Sequence, residues 1–237
     1  MKKRVSLTIS IPAFNEEETL EKVVNEALIE LKKITTNYEL VLVDDGSTDK
    51  TKKIMESFAK IDNHVKIVYH KKNLGFSGAI KSSFENASKE LVLLAPADGQ
   101  FNFKELPEFV RAINGCDAVL AFRKINHEPF IRRFQSWFYH NLSKTLLRLT
   151  VKEIPTISLW RRASLQKLTI TVNPRSNMAL PQLIYQSSKL GYKFAQIPII
   201  WHPRRGGEAK GRINLFLIFS TLIEMGKLFL EERLKPT

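Results

Sequence analysis

Over about the first 120 residues, the chain alternates between short apolar runs and longer segments whose apolar side chains recur every three or four positions. The short runs predict strands and the longer segments predict helices. The predicted strands cover residues 5–11, 39–43, 65–69, 90–95 and 118–122. The predicted helices cover residues 16–33, a segment ending near residue 59, and residues 75–87 and 104–113. This alternation indicates βαβ units, and therefore an α/β fold with a mainly parallel sheet flanked by helices.

The second half of the chain has a looser pattern. Residues 130–150 and 176–190 predict helices, and residues 193–200 predict one more strand. The aromatic run Trp137–Tyr139 in the first of these helices is interpreted as part of the core. Residues 213–230 are mostly apolar but include two charged residues. We therefore predict an amphipathic C-terminal helix that lies on a membrane or packs on the domain, and not a membrane span.

Polar clusters follow three of the predicted strands: Asn15-Glu16, Asp44-Asp45 and Asp98-Gly99-Gln100. Because ligands of open parallel sheets bind beyond the carboxyl ends of the strands, we expect these clusters to converge on one edge. Asp98 and Gln100 alternate in an extended loop, so both side chains could reach one ion. Carboxylate and amide oxygens suit Mg²⁺ or Mn²⁺. Each cluster taken alone also fits an ordinary surface turn or helix cap.

The charge balance narrows the classes of partner. The chain has 37 Lys and Arg residues against 24 Asp and Glu residues, which gives a formal charge of +13. We therefore expect an anionic partner: a nucleic acid, a phosphorylated molecule or a membrane surface. A basic, glycine-rich loop at residues 204–212 could approach phosphates closely, although a solvated loop or a nucleic-acid patch fits it equally well. The single cysteine, Cys116, excludes an internal disulfide and a multi-cysteine zinc site.

Four motifs occur in order at the strand ends: Ile11-Pro12-Ala13-Phe14-Asn15-Glu16-Glu17, Val43-Asp44-Asp45-Gly46-Ser47-Thr48-Asp49, Asn73-Leu74-Gly75-Phe76-Ser77-Gly78-Ala79 and Ala97-Asp98-Gly99-Gln100. Their order over about residues 5–125 resembles the family 2 glycosyltransferases of GT-A fold. In the second half, the chain looks most like dolichyl- and polyprenyl-phosphate mannosyl- or glucosyltransferases. The segments that carry this closer likeness are Gly191-Tyr192-Lys193, Ile197-Pro198-Ile199 and the residues Arg204, Gly207 and Lys210.

The resemblance implies an organisation and a set of residue roles. A nucleotide-sugar-binding GT-A core would cover residues 1–125. Within the same continuous catalytic domain, residues 126–237 would form an acceptor-side lobe with the basic loop and a membrane-associating helix. The residues implied to hold the nucleotide-sugar are Pro12, Phe14, Glu16, Ala97 and Asp44 or Asp45. A Mg²⁺ or Mn²⁺ ion would be bound by Asp98 and Gln100. The residues implied to act in catalysis are Asp98, Arg123, Arg204 and Lys210.

Two departures from the family pattern bear on the chemistry. Pro96 stands where the first acid of the usual Asp-x-Asp motif would be, so one metal ligand is missing. A Mg²⁺ ion would tolerate this loss, because it usually keeps several water ligands. The family's acceptor motif should fall at residues 152–158, where its Asp and Arg are absent and Glu153 is the one nearby acid. The oxygen of a lipid phosphate is already anionic, so its transfer needs no strong general base, whereas an alcohol acceptor would need one.

The expected function is inverting transfer of a hexose from GDP-mannose or UDP-glucose to a polyprenyl or dolichyl phosphate. The expected location is cytoplasmic and peripheral on the inner face of the cell membrane, because an anionic membrane suits the basic second half and the C-terminal helix. Three alternatives stay open: a family 2 transferase acting on a saccharide or lipid alcohol, a catalytically weak nucleotide-sugar-binding protein, and a nucleic-acid binder. No recognised binding motif supports the last, so a nucleic acid is not an expected partner.

Overall fold

The computed structural model of the chain describes residues 5–126, 130–204, 206 and 215–234. Its strands form one sheet and are β1 Leu7–Ala13, β2 Tyr38–Asp44, β3 Val65–Tyr69, β4 Leu91–Leu94, β5 Ala118–Asn126, β6 Ser158–Arg161 and β7 Phe194–Trp201. The α-helices in the described ranges are α1 Leu20–Ile34, α2 Thr51–Ile61, α3 Phe76–Glu85, α4 Leu106–Ala112, α5 Phe130–Leu146, α6 Arg162–Leu165, α7 Ala179–Lys189 and α8 Leu215–Leu234. A 3₁₀ turn, Phe103–Glu105, precedes α4.

The strand order in the sheet is β3-β2-β1-β4-β6-β5-β7. Neighbouring strands are parallel except where β6 runs antiparallel to both β4 and β5. This arrangement confirms the predicted mainly parallel sheet flanked by helices. Strands β1, β2, β4 and β5 all end at the same edge, which we call the carboxyl edge, so the loops that follow them lie on one side of the domain.

The core lies on both faces of the sheet, because alternate strand residues point to opposite sides. In β4, Leu91 and Leu93 pack with residues of α1 and α4, whereas Val92 and Leu94 pack with residues of α3 and α7. All seven residues of β2 are buried. A strand that is covered on both faces has a nearly continuous apolar sequence, and this is why β2 was readily predicted.

The sequence pattern does not predict β6, which has only four residues and therefore shows no clear period. This strand inserts between β4 and β5, and β7 pairs with the other side of β5. Strands β6 and β7, which lie beyond residue 126, thus complete the sheet that the first half of the chain begins. The boundary at residue 125 between a nucleotide-sugar-binding core and an acceptor-side lobe stays a prediction.

The start of α1 differs from the prediction. The helix begins at Leu20, so Glu16, Glu17 and Glu18 precede its first turn. Glu16 is held outside the helix because its backbone N–H donates to the hydroxyl of Thr51, at 2.7 Å. Its side chain pairs with Arg204, in the segment that follows β7.

The prediction that the aromatic run Trp137–Tyr139 of α5 belongs to the core is wrong for two of its three residues. Trp137 and Phe138 are 60% and 54% exposed. Tyr139 is partly buried, and its hydroxyl donates to a backbone carbonyl at 2.7 Å. Phe130 and Phe134 of the same helix are also exposed. Helix α5 therefore presents an aromatic surface to the outside, a feature that marks interaction sites in soluble domains.

Helix α8 buries polar as well as apolar side chains and leaves several other apolar side chains exposed. The buried Thr221 and Glu224 accept backbone N–H groups of the loop before α7, at 3.4 and 3.2 Å. Leu222, Ile223 and Leu230 are exposed. Within the described ranges, no helix combines the length and the apolar character that crossing a membrane requires.

Candidate functional site

The loops after β1, β2 and β4 meet at the carboxyl edge, as predicted. Asn15 joins the first two loops: its N–H donates to Ser47 Oγ at 2.9 Å, and its Oδ1 accepts the Thr48 N–H at 2.7 Å. Thr19 joins the first loop to the third, because its hydroxyl donates to the Ala97 carbonyl at 2.8 Å. Side-chain hydrogen bonds therefore fix the three motif loops relative to one another.

The two adjacent carboxylates of the second motif have different surroundings. Asp45 Oδ1 lies 2.7 Å from His70 Nδ1. The same carboxylate accepts the N–H groups of Leu74 and Gly75 at 2.8 and 3.0 Å and a side-chain N–H of Asn73 at 3.0 Å. Asp45 thus holds the turn before α3, and its oxygens are used within the protein.

Asp44 is the member of this pair that remains available to a ligand. Its Oδ1 accepts the Ser47 N–H at 2.9 Å, and its Oδ2 has no hydrogen-bond partner among the residues that the structure describes. Gly46 makes the tight turn possible, because its φ is +74° and a Cβ there would lie 2.6 Å from the carbonyl carbon of Lys72. Of the two acids, Asp44 is therefore the better candidate for contacting a nucleotide.

Glu16 was predicted to hold the nucleotide-sugar and Arg204 to act in catalysis, and the structure pairs them with each other. Arg204 Nη2 lies 2.6 and 2.5 Å from the two carboxylate oxygens of Glu16. Arg204 Nε donates to the Gly206 carbonyl at 2.8 Å, and Gly206 packs against Glu18 and Thr19 so closely that a Cβ would meet Glu18 Oε2 at 2.9 Å. The segment after β7 therefore crosses the carboxyl edge and is fastened to the loop before α1.

The predicted metal ligands Asp98 and Gln100 lie together in the loop after β4. Asp98 Oδ1 accepts the Gln100 N–H at 3.0 Å, and Gly99 between them has a φ of +73°. Gln100 is buried, and its side-chain N–H donates to the His202 carbonyl at 3.0 Å. No group of three or more His, Cys, Asp or Glu side chains in the described ranges is placed to hold a metal. A donor set of one carboxylate and one amide fits an ion that takes its remaining ligands from water and phosphate.

Beside the carboxyl edge, a groove of about 620 Å³ opens between α5 and the end of β5, and we call it the α5 groove. Its lining combines basic and aromatic side chains with a few polar ones. The lining residues are Phe122, Arg123, Lys124, Phe130, Arg133, Phe134, Ser136, Trp137, His140, Asn141, Lys144, Lys152 and Glu153. Glu153 is the one acid among these described lining residues. The groove is therefore suited to an anionic ligand with an apolar part.

Arg123, which was predicted to act in catalysis, forms an ion pair with Glu153 in this groove. The Arg123 N–H donates to Oε2 at 2.8 Å, Nε donates to Oε1 at 2.5 Å, and Nη2 contacts Oε1 as well. Nη2 also lies 2.7 Å from Ser136 Oγ and 2.8 Å from His140 Nε2. The guanidinium carbon is 5.8 Å from the centre of the Trp201 ring. Four groups thus surround one arginine side chain.

The carboxyl group of Glu153 is strongly acidic in this setting. Burial raises its pKa, but hydrogen bonds from His140 and Arg123, together with the charge of Arg123, outweigh burial and lower the pKa to about 2. Glu153 is therefore ionised at neutral pH and has little tendency to take up a proton.

The remaining predicted residues are placed as follows. Pro12 lies in β1 opposite Val43, and Phe14 follows that strand directly, so both are at the carboxyl edge. Ala97 is buried, which leaves its backbone as the part that can act at the site. Lys210 lies outside the described residues.

Ser136 and His140 were not predicted as residues of the site. They are four positions apart on α5 and therefore share one face of the helix, but this spacing is common and names no partner. Trp201 was also missed, because its contact with Arg123 joins two strands that are far apart in the sequence.

Comparisons with known proteins agree with the geometry. The family model described as Glycosyl transferase family 2 matches residues 8–169. The chain is 30% identical over 223 residues to an undecaprenyl-phosphate 4-deoxy-4-formamido-L-arabinose transferase of Shewanella sediminis (strain HAW-EB3), covering 92% of the chain and 66% of the relative. It is 33% identical over 147 residues to the Proteus mirabilis (strain HI4320) protein of the same name, covering 62% of the chain and 43% of the relative.

A further relative is a dolichyl-phosphate beta-glucosyltransferase of Trichomonas vaginalis (strain ATCC PRA-98 / G3). It is 26% identical over 222 residues, which cover 87% of the chain and 68% of the relative. The chain spans 43% and 66% of the lengths of the two arabinose-transferase relatives named above.

Solved structures share the fold. Glucosyl-3-phosphoglycerate synthase from Mycobacterium tuberculosis, in complex with Mn²⁺, uridine-diphosphate and phosphoglyceric acid, matches with a TM-score of 0.70 at 18% identity, covering 98% of this chain and 80% of that chain. A likeness at this identity shows the fold, and the expected GT-A arrangement is thereby confirmed. Because the family model matches more than half of the residues, the chain belongs to glycosyl transferase family 2.

Proposed function

We propose that the chain is an inverting glycosyltransferase that moves a hexose from a nucleotide-sugar to the phosphate oxygen of a polyprenyl or dolichyl phosphate. A bond forms between the anomeric carbon and that oxygen, while the bond between the anomeric carbon and the donor diphosphate breaks. The nucleoside diphosphate leaves with the electron pair. The names of the curated relatives, which refer to undecaprenyl phosphate and dolichyl phosphate, support this class of acceptor.

One observation carries the choice of a phosphate acceptor over an alcohol. Among the residues that the structure describes, Glu153 is the one acid in the lining of the α5 groove, and both of its oxygens are engaged by Arg123. With a pKa of about 2, Glu153 is a poor general base. An alcohol would need such a base to become a nucleophile, whereas a phosphate monoester is anionic at neutral pH. The groove therefore favours a nucleophile that arrives already charged.

The carboxyl edge is the proposed donor site. Asp44 would accept a hydrogen bond from the base or ribose, and Pro12, Phe14 and Ala97 would line the nucleotide. Asp98 and Gln100 would hold Mg²⁺ or Mn²⁺, which when bound would neutralise charge on the leaving diphosphate. Arg204, with Lys210 from the basic loop, would contribute further positive charge there, an electrostatic form of catalysis. GDP-mannose and UDP-glucose are the donors that we propose to test first.

We also propose that the protein attaches peripherally to an anionic membrane, on the cytoplasmic face where nucleotide-sugars are expected. The exposed aromatic side chains of α5 and the exposed Leu222 and Ile223 of α8 support this proposal, since such residues enter the interfacial layer of a bilayer. Helices α5 and α8 contact each other, which would allow both to lie at one membrane surface. The excess of basic residues would add attraction to anionic lipids.

A donor screen tests the proposed function. The protein is incubated with undecaprenyl phosphate, Mn²⁺ and one of three donors: UDP-glucose, GDP-mannose or nucleotide-linked 4-deoxy-4-formamido-L-arabinose. Mass spectrometry of the lipid extract should show a hexose-phosphate lipid with UDP-glucose or GDP-mannose and a much smaller amount with Asp98→Ala, whereas a product from the arabinose donor alone would contradict the transfer of a hexose. Binding of a donor without product from any of the three would instead indicate a nucleotide-sugar-binding protein.

A further inference from the structure

Arg123 is held by the protein in a way that leaves one end of its side chain unused. Nε and Nη2 contact Glu153, and Nη2 also donates to Ser136. Nη1 has no hydrogen-bond partner among the residues that the structure describes. Since an arginine normally presents its five N–H donors as a rigid fork, fixing one side of the fork also fixes the direction of the other.

The contacts of His140 show why its ring can hold this arrangement. The Ile154 N–H donates to Nδ1 at 3.3 Å, so Nδ1 acts as the acceptor and Nε2 is the ring nitrogen that carries a proton. Nε2 lies 3.1 Å from Glu153 Oε1 and can donate to it. His140 thereby orients the carboxylate that in turn orients Arg123.

We propose that Glu153 and His140 are positioning residues that hold Arg123 so that its Nη1 end binds the phosphate head group of the lipid acceptor in the α5 groove. This inference rests on the proposed function for the identity of the acceptor. It assigns to Glu153 a role different from that of a general base. The carboxylate keeps Arg123 in one orientation and takes no proton from the acceptor.

The other walls of the α5 groove suit the two parts of such a ligand. Lys144 and Lys152 lie close together, with Lys144 Nζ donating to the Lys152 carbonyl at 3.0 Å, and they add positive charge near the head group. Phe134 and Trp137 stack with ring centres 5.9 Å apart and offer an apolar wall for the first isoprene units. A phosphate with an isoprenoid chain therefore matches both the charge and the apolar surface of the groove.

The test uses geranyl phosphate, a short prenyl monophosphate, with geraniol as the matched alcohol. The chain has three tryptophans, and two of them, Trp160 and Trp201, are buried at 0% and 4% exposure, whereas Trp137 lines the groove and is exposed. Quenching of tryptophan fluorescence by acrylamide therefore reports on Trp137. Geranyl phosphate should protect the fluorescence in a saturable way, and geraniol at the same concentration should not.

Glu153→Gln separates positioning from simple electrostatics. Removing a negative charge beside Arg123 should by charge alone strengthen the binding of an anion. Loss of positioning should instead weaken the binding of geranyl phosphate about tenfold. Glu90→Gln is the matched control, because Glu90 is exposed, pairs with Arg161 at 3.5 Å and is not among the described residues that line the groove. The affinity of Glu90→Gln for geranyl phosphate should therefore equal that of the wild type. Equal or tighter binding by folded Glu153→Gln overturns the inference.

Ser136→Ala keeps the inference testable if Glu153→Gln does not fold. Ser136 is a partly buried position on α5 that gives Arg123 a single hydrogen bond, so the fold should survive and the affinity should fall two- to threefold. An unchanged affinity overturns the inference. In the transfer assay, Glu153→Gln should raise the KM for the lipid phosphate far more than it lowers kcat.

The two proposals fail in different ways. If geranyl phosphate binds in a manner that depends on Glu153 but no sugar is ever transferred, the proposed function is wrong and the phosphate site stands. If sugar is transferred and the KM for the acceptor does not respond to Glu153→Gln, the phosphate site is wrong and the function stands.

Discussion

Arg204 and Glu16 are 188 positions apart in the sequence and form an ion pair in which Arg204 Nη2 lies within 2.6 Å of both carboxylate oxygens. The contact fastens the segment after the last strand to the loop after the first strand. It also joins a residue that the family resemblance assigns to the nucleotide-sugar with one that it assigns to catalysis. Because each charge neutralises the other, a donor diphosphate would compete with Glu16 for Arg204.

This ion pair should be measurable as a coupling energy. Arg204→Gln and Glu16→Gln should each lower the free energy of unfolding, and the double variant should lower it by less than the sum. A coupling of about 1 kcal/mol is expected for a partly exposed pair. Urea unfolding of the wild type and the three variants measures it. A coupling indistinguishable from zero would mean that the pair does not hold the two loops together.

Asp44→Asn and Asp45→Asn should separate binding from stability. Asp45 accepts hydrogen bonds from His70, Asn73 and backbone groups, so Asp45→Asn should lower the free energy of unfolding by about 3 kcal/mol. Asp44→Asn should change stability by about 1 kcal/mol or less, yet weaken nucleotide binding. Thermal unfolding with and without UDP or GDP measures both effects. The opposite pattern would reassign the nucleotide contact to Asp45.

Glu39 should make the stability of the fold sensitive to acid. The side chain is buried and accepts hydrogen bonds from Thr8, Ser88 and Lys66. Burial raises its pKa, but these hydrogen bonds lower it more, from 4.5 to about 2. Because the pKa of Glu39 is lower in the folded protein than in the unfolded chain, ionised Glu39 stabilises the fold at pH values above about 4.5. This stabilisation is lost as the pH falls from about 4.5 to about 2.

Glu39→Gln should therefore lower the free energy of unfolding by about 3 kcal/mol at pH 7 and flatten its pH dependence between about pH 4.5 and pH 2. Urea titrations at several pH values measure both quantities. Glu85→Gln is the control, since Glu85 is exposed and forms only a 3.9 Å contact with Lys81. If Glu39→Gln and Glu85→Gln behave alike, Glu39 does not have the assigned role.

Membrane attachment should depend on exposed apolar residues of α5 and α8. Phe138→Ser together with Ile223→Ser should weaken binding to vesicles that contain anionic lipid by at least about tenfold, because each side chain would leave the interfacial layer. Ile61→Ser is the matched control, since Ile61 is 85% exposed at the end of α2 and should not contact the bilayer. Vesicle sedimentation measures the binding. Equal losses in the two proteins would contradict an attachment through α5 and α8.

The sequence predicts those parts of the fold that depend on local pattern. Strand β2 is apolar throughout because both of its faces are covered, and the acids after it lie at the carboxyl edge because parallel strands end there. The same logic places Asp98 and Gln100 in one loop. These predictions needed only the period of the apolar residues and the residue types that follow each run.

Contacts between distant segments could not be predicted in the same way. The pairing of Arg204 with Glu16 and of Arg123 with Glu153 depends on how loops cross the finished sheet. The outward turn of Trp137 could not be predicted either, because an aromatic residue in a helix is usually buried. In each case the deciding factor is tertiary packing, which the local pattern does not contain.

The most direct test of the central claim compares two acceptors that differ only in the phosphate. Undecaprenyl phosphate and undecaprenol are offered separately to the protein with the same radiolabelled donor and Mn²⁺, and label in the lipid extract is counted. Because Glu153 is held by Arg123 and is a poor base, label should enter the phosphate lipid and not the alcohol. Transfer to undecaprenol at a comparable rate would contradict the proposed acceptor, and so would donor binding with transfer to neither lipid.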